Sequence, residues 1–165
     1  MPIATSDVKF RLSGGVANTN PLLSIGGDAS TTTDAPAGIF DDVSSAEATA
    51  GDVEYRCVYV KNTHATLTLI GAAVWIQAQT PSAMTDVAIG LGASAINGSE
   101  TAVANENTAP GSVTFSQPAS FAAGLVIGDL APGAHKAVWV RRTVSSFAPS
   151  AADGFTLRVQ GDTNP

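Results

Sequence analysis

Charge is scarce in this sequence. Charged residues make up 13% of the 165, against about 25% in an average globular protein. Lysine occurs only at Lys9, Lys61 and Lys136. The eight basic residues are scattered and the net charge is -6. Phosphate contacts need clustered cations, so no nucleic-acid partner is expected. A single cysteine, Cys57, excludes an internal disulfide and fits an intracellular assembly environment. Two histidines without a Cys/His cluster fall short of the three or four ligands a zinc ion takes. No apolar run approaches the roughly 20 residues that span a bilayer, so no membrane association is expected. The stretch "LTLIGAAVWI", Leu67 to Ile76, suits a buried strand pair instead. The opening "MPIATSDVKF" lacks a basic region followed by an apolar one, so no signal peptide is expected. Long amphipathic helices are missing too: no window carries apolar residues at i, i+3, i+4 and i+7 with charges between.

What remains is short alternating segments between turn residues, the pattern of a sandwich or barrel. In "VKFRL", Val8, Phe10 and Leu12 alternate with Lys9 and Arg11. Residues 14–38, poor in large apolar side chains, form a loop or an extended arm that a neighbour would order. Ile39 to Val43 is a short strand candidate. "SSAEATAG" is the one helical turn, with Ser44 or Ser45 as cap and Glu47 near the helix start. From Val53 to Val60 both faces are apolar, as in a central strand. "NTHA" then turns into Leu67–Gln79, one strand or two broken at Gly71, and the pair is expected to be an antiparallel hairpin. Val87–Leu91, Val113–Phe115, Leu125–Ile127, the "KAVWVRRTV" segment after a Pro132-Gly133 turn, and Phe155–Val159 complete the set. The expectation is an all-β chain. Residues 1–165 form a single β-sandwich domain, jelly-roll or immunoglobulin-like. It has about eight antiparallel strands, long loops and an extended N-terminal arm.

Candidate chemistry is thin. Cys57, between Tyr55 and Tyr59 on an apolar face, is a buried small hydrophobe rather than an activated thiol. His64 and His135 fall at strand ends. Asp28, Asp34, Asp41, Asp42 and Asp52 offer hard oxygen ligands, but their spacing matches no calcium loop and aspartate is common in turns. "GLGASAING", Gly90 to Gly98, lacks the lysine and following helix of a phosphate cradle. "NGS" at Asn97 matches a glycosylation sequon, with no sign of a secretory setting. Trp75 and Trp139 are either core side chains or interface anchors; Arg141 and Arg142 point to a surface salt bridge or an interface. No catalytic residue, cofactor or metal site emerges, and no enzyme activity is expected.

Four stretches carry a resemblance: "KFRLSGG", "FDDVSSAEATAGDVEYRCVYVKNTH", "GDLAPGAHKAVWVRRTV" and "FTLRVQGD". Together they are similar to small lone-domain proteins encoded among the virion genes of tailed bacteriophages. The V-x-N pattern, the L-x-P-G turn and the strand after it resemble immunoglobulin-like and jelly-roll sandwiches. The resemblance implies a capsid decoration or cement protein, made in the host cytoplasm and carried on the capsid surface of the virion. Its partners would be the major capsid protein and copies of itself, with no catalytic residues. The expected contacts are Ile3, Phe10, Leu22, Leu23 and Ile25 in the N-terminal region and Asn105, Asn107 and Pro110 in a later loop, with Arg141 and Arg142. The alternative is a tail, collar or fibre module that recognises carbohydrate.

Overall fold

A computed structural model describes residues 2–146 and 153–163. Seven strands run β1 (Val8–Leu12), β2 (Asp52–Asn62), β3 (Leu69–Ala78), β4 (Thr85–Leu91), β5 (Leu125–Leu130), β6 (His135–Val144) and β7 (Thr156–Thr163). One short helix, α1 (Ser45–Ala50), precedes β2. The strands form two antiparallel sheets, β1-β2-β6-β4 and β5-β3-β7, which make a β-sandwich. In an immunoglobulin constant-type sandwich the first, second, fifth and fourth strands share a sheet; here the sixth stands where the fifth would.

The core between the sheets follows the alternation. Val58 and Val60 of β2, Val138 and Val140 of β6, and Val87 and Ile89 of β4 face Val74 and Ile76 of β3 and Leu130 of β5. Each such side chain contributes about 1.5–3 kcal/mol on burial. The opposite face of β2 and β6 is apolar as well, so it needs its own cover. Cys57, Tyr59, Ala137 and Trp139 form a second core beneath Ala29, Val103, Val113 and Phe115. The loops between β1 and α1 and between β4 and β5 therefore make a third layer.

Those loops also close the edges of the four-stranded sheet. Beyond β1, the N–H groups of Cys57 and Tyr55 donate to Ser24 O and Glu106 O, both at 2.7 Å. Along β1, Leu12 N–H donates to Thr33 O and Ala35 N–H to Phe10 O. Ser116 exchanges two 2.9 Å bonds with Ile89 on β4. Residues 14–38 are thus a loop wrapped over their own sheet, not an arm awaiting a neighbour.

Three further expectations are corrected. β2 and β3 are not a hairpin, because β1 and β6 already occupy both edges of β2. Asn62 turns the chain across to the other sheet, its amide donating to Leu67 O at 2.8 Å and Leu130 O at 2.9 Å. Ile39–Val43 is not a strand: its carbonyls accept from guanidinium groups instead, Ile39 O from Arg56 at 3.1 Å and Asp41 O from Arg142 at 2.7 Å. Val113–Phe115 is not a strand either; Val113 and Phe115 lid the second core. The remaining segments stand near their expected places. β3 runs unbroken past Gly71, where the register shifts. Ser44 caps α1, accepting from Glu47 N–H at 3.2 Å while Glu47 Oε2 accepts from Ser44 N–H at 2.6 Å.

The two covering loops cross at Gly26. Its φ is +104°, and a Cβ there would lie 2.6 Å from Ala102 Cα and the Thr101 carbonyl oxygen. Gly26→Ala is therefore expected to lower stability by about 1–3 kcal/mol, read as a reduced urea midpoint with an unchanged slope.

Candidate functional site

The inner face of β2 changes character along its length. Val58 and Val60 are apolar, but Arg56 and Glu54, next on the same face, carry charge into the sandwich. Glu54 lies directly opposite Arg142 of β6. Arg142 Nε donates to Glu54 Oε2 at 2.6 Å, and its other nitrogens reach the Asp41 carbonyl and carboxylate. Arg56, fully buried, is bound by Glu106 and lies 3.8 Å from the Asp41 carboxylate. Both guanidinium groups lie over the Phe40 ring, that of Arg56 at 5.5 Å and that of Arg142 at 4.7 Å from its centroid, in cation–π range. The network clamps residues 39–41 and the Glu106 loop onto β2 and β6.

Glu54 is the exposed weakness of this clamp in energetic terms. Its side chain is 1% accessible, and burial pushes its pKa up to about 7 against the pull of Arg142. Its Oε1 has no hydrogen-bond partner. Beside the clamp a cleft of about 790 Å³ opens between Phe40, Asp42, Thr80, Arg142 and Phe155. No histidine or cysteine lines it among the described residues.

A second polar cluster lies on the outer face. The Gly-rich loop that invites comparison with a phosphate cradle closes on a carboxylate of its own chain. Ala93 N–H donates to Glu100 Oε1 at 3.0 Å; Ser94 N–H and Oγ donate to Oε2 at 3.0 and 2.6 Å. Glu100 N–H donates to the Tyr59 hydroxyl at 2.8 Å, which donates to Gly27 O at 2.6 Å. Burial raises the pKa of Glu100, but the Ser94 and Ala93 donors outweigh it and hold the carboxyl below its ordinary range. The Trp139 indole N–H adds to this pull without the geometry of a full hydrogen bond. Lys136 binds the carbonyls of Gly92 and Ser94.

The residues singled out for reactivity are held in structural roles. Burial pushes the Cys57 thiol well above its ordinary range, and the Glu100 charge adds to the shift. His64 Nδ1 accepts from Thr66 and Leu67 N–H in the crossing turn. His135 packs edge-on to Tyr59 with ring centroids 5.1 Å apart, and burial, then the Lys61 charge, lower its pKa. Trp139 is fully buried; Trp75 is nearly so, between Phe121 and Arg158.

The expected contact residues divide. Ile3 and Phe10 pack against the inter-sheet core. Leu22 and Leu23 stand out in an exposed turn (Pro21–Leu23), while Ile25 is half-buried. Asn105 is exposed and Pro110 buried. Asn107 Nδ2 donates to Asp52 Oδ1 at 2.8 Å. Arg141 lies over the Phe115 ring at 5.4 Å, and Arg142 belongs to the clamp. Because Ser24 and Glu106 accept from alternate residues along one edge of β2, the Leu22–Leu23 turn and the 105–110 loop approach the same strip. Sequence reasoning missed Glu54, Arg56 and Glu100. The available signal was charge at inward positions of otherwise apolar strands. The chain matches no protein-family model, no curated protein and no solved structure.

Removing Arg142 leaves the Glu54 carboxylate buried and unpaired. Arg142→Ala is expected to cost about 3–5 kcal/mol, and adding Glu54→Gln to recover part of it; urea unfolding of the singles and the double measures the coupling. Glu100 has a lowered folded pKa, so its stabilisation is present above the unfolded value and is lost as pH falls through the folded one. Glu100→Gln is expected to flatten the acid limb of the stability–pH curve and to cost about 1–3 kcal/mol at neutral pH.

Proposed function

We propose that this chain is a non-enzymatic structural protein of a tailed-phage virion, a capsid decoration or cement protein bound across seams between major capsid subunits. The observation that carries the reading is a rigid layer displaying unburied apolar side chains. Val16, Leu22 and Leu23 are 55%, 43% and 57% exposed on a loop braced internally by the Gly15–Asp28 and Thr31–Val16 backbone bonds and held to its own sheet by the Cys57–Ser24 bond. A prefixed surface loses little conformational entropy on docking, and many copies on one shell sum modest contacts.

The resemblance of the "KFRLSGG" and "GDLAPGAHKAVWVRRTV" stretches to phage virion proteins supports the location. The carbohydrate-binding alternative at a tail or fibre needs an open aromatic face, and both tryptophans are covered. The structural reading is therefore preferred.

Phage deleted for the gene tests it. Mutant heads are expected to release DNA at a lower temperature than intact ones, and purified chain added back is expected to restore the difference. The Leu22→Asp/Leu23→Asp variant is expected to fail in that rescue while keeping its circular-dichroism spectrum. Recovery of the protein only in tail fractions, or deletion without any change in head stability, defeats the proposal.

A further inference from the structure

We propose that Glu47, Asp52 and Glu54 form a binding site for a divalent cation of the calcium class. Gly51, at φ +77°, ends α1 and turns the chain into β2. That turn brings Glu47 of the helix beside Asp52 and Glu54, two residues apart in the strand. An oxygen from each of the three carboxylates lies within 4.8 Å of the other two.

Each carboxylate is held through one oxygen. Glu47 Oε2 accepts from Ser44 N–H at 2.6 Å. Asp52 Oδ1 accepts from Val53 N–H and from Asn107 Nδ2, both at 2.8 Å. Glu54 Oε2 accepts from Arg142 Nε at 2.6 Å. Such outer donors orient ligands around a metal.

The second, independent observation is Glu54 Oε1. It is buried, it has no hydrogen-bond partner, and its side chain is 1% accessible. A buried carboxylate oxygen without a donor is unfavourable, and a cation shared with Glu47 and Asp52 would satisfy it. A second carboxylate group, Asp41, Glu54 and Glu106, is already neutralised by Arg56 and Arg142. Neither Glu47 nor Asp52 makes an ion pair among the described residues, so the uncompensated negative charge lies on this side of Glu54. All-oxygen ligands select hard cations. Three carboxylates in an irregular, partly open setting suit calcium, whereas magnesium keeps most of its water and binds through one or two.

Thermal unfolding of the full chain, followed by circular dichroism in EDTA and in calcium chloride at matched ionic strength, tests the site. Calcium at about ten times its Kd is expected to raise Tm by roughly 3–6 °C. Asp52→Asn is expected to abolish the rise, and Glu106→Gln to keep it. Should Asp52→Asn fail to fold, calcium-displaceable terbium luminescence on the unaltered chain is the second readout. No calcium effect in either measurement on the unaltered chain overturns the proposal. An equal rise in Asp52→Asn overturns the assignment of residues. An equal response to magnesium overturns the assignment to the calcium class.

Discussion

A strand that is apolar on both faces needs two covers, and β2 imposes that requirement on the whole chain. Its inner face packs on the β5-β3-β7 sheet, as in any sandwich. Its outer face, with Tyr55, Cys57 and Tyr59 beside Trp139 of β6, would be a large exposed apolar patch if left bare. Among the described residues there is no third sheet, so two long loops take the place of one. Their polar backbone is reconciled with burial by anchoring to sheet edges: Ser24 and Glu106 on β2, Thr33 and Ala35 on β1, Ser116 on β4. One arrangement thus covers the second core and closes the edges that would otherwise invite pairing with another chain.

The charges inside the sandwich follow from where that core ends. At the Glu54 end of β2 the inner face is roofed by residues 39–41 rather than by strands. Loop carbonyls need donors, and Arg56 and Arg142 supply them from within. The two guanidinium groups, that of Arg56 buried and that of Arg142 partly so, then require carboxylates and a ring face, which Asp41, Glu54, Glu106 and Phe40 provide. Such a network fixes a loop in one position more than it adds net stability, since desolvation offsets much of the Coulomb gain.

The strands and the helix cap were legible because both are encoded locally. Alternation in Val8–Leu12 and in the segment around Trp139 marks a strand whatever its partner, and Ser44 with Glu47 three residues on marks a helix start. Sheet membership was not legible: period-two patterning gives each strand two faces without saying which neighbour it meets, so β2 and β3 looked like a hairpin. Ile39–Val43 looked like a strand because its side chains suit one; its carbonyls are taken by arginines 17 and 101 positions away. Of the clamp, Arg142 was singled out by residue type, but Glu54 lies 88 positions from it in the chain. Glu100 was overlooked because the Gly-rich loop before it lacks the lysine and helix of an anion cradle, yet its backbone and hydroxyl donors bind the chain's own carboxylate.

The lone thiol has a kinetic consequence. Cys57 lies under the loop layer, protonated and without solvent contact. A thiol reagent can meet it only during moments when that layer lifts from the sheet. The rate at which the folded protein becomes labelled therefore times those lifting events, and the sulfur serves as a built-in clock for how often the third layer opens.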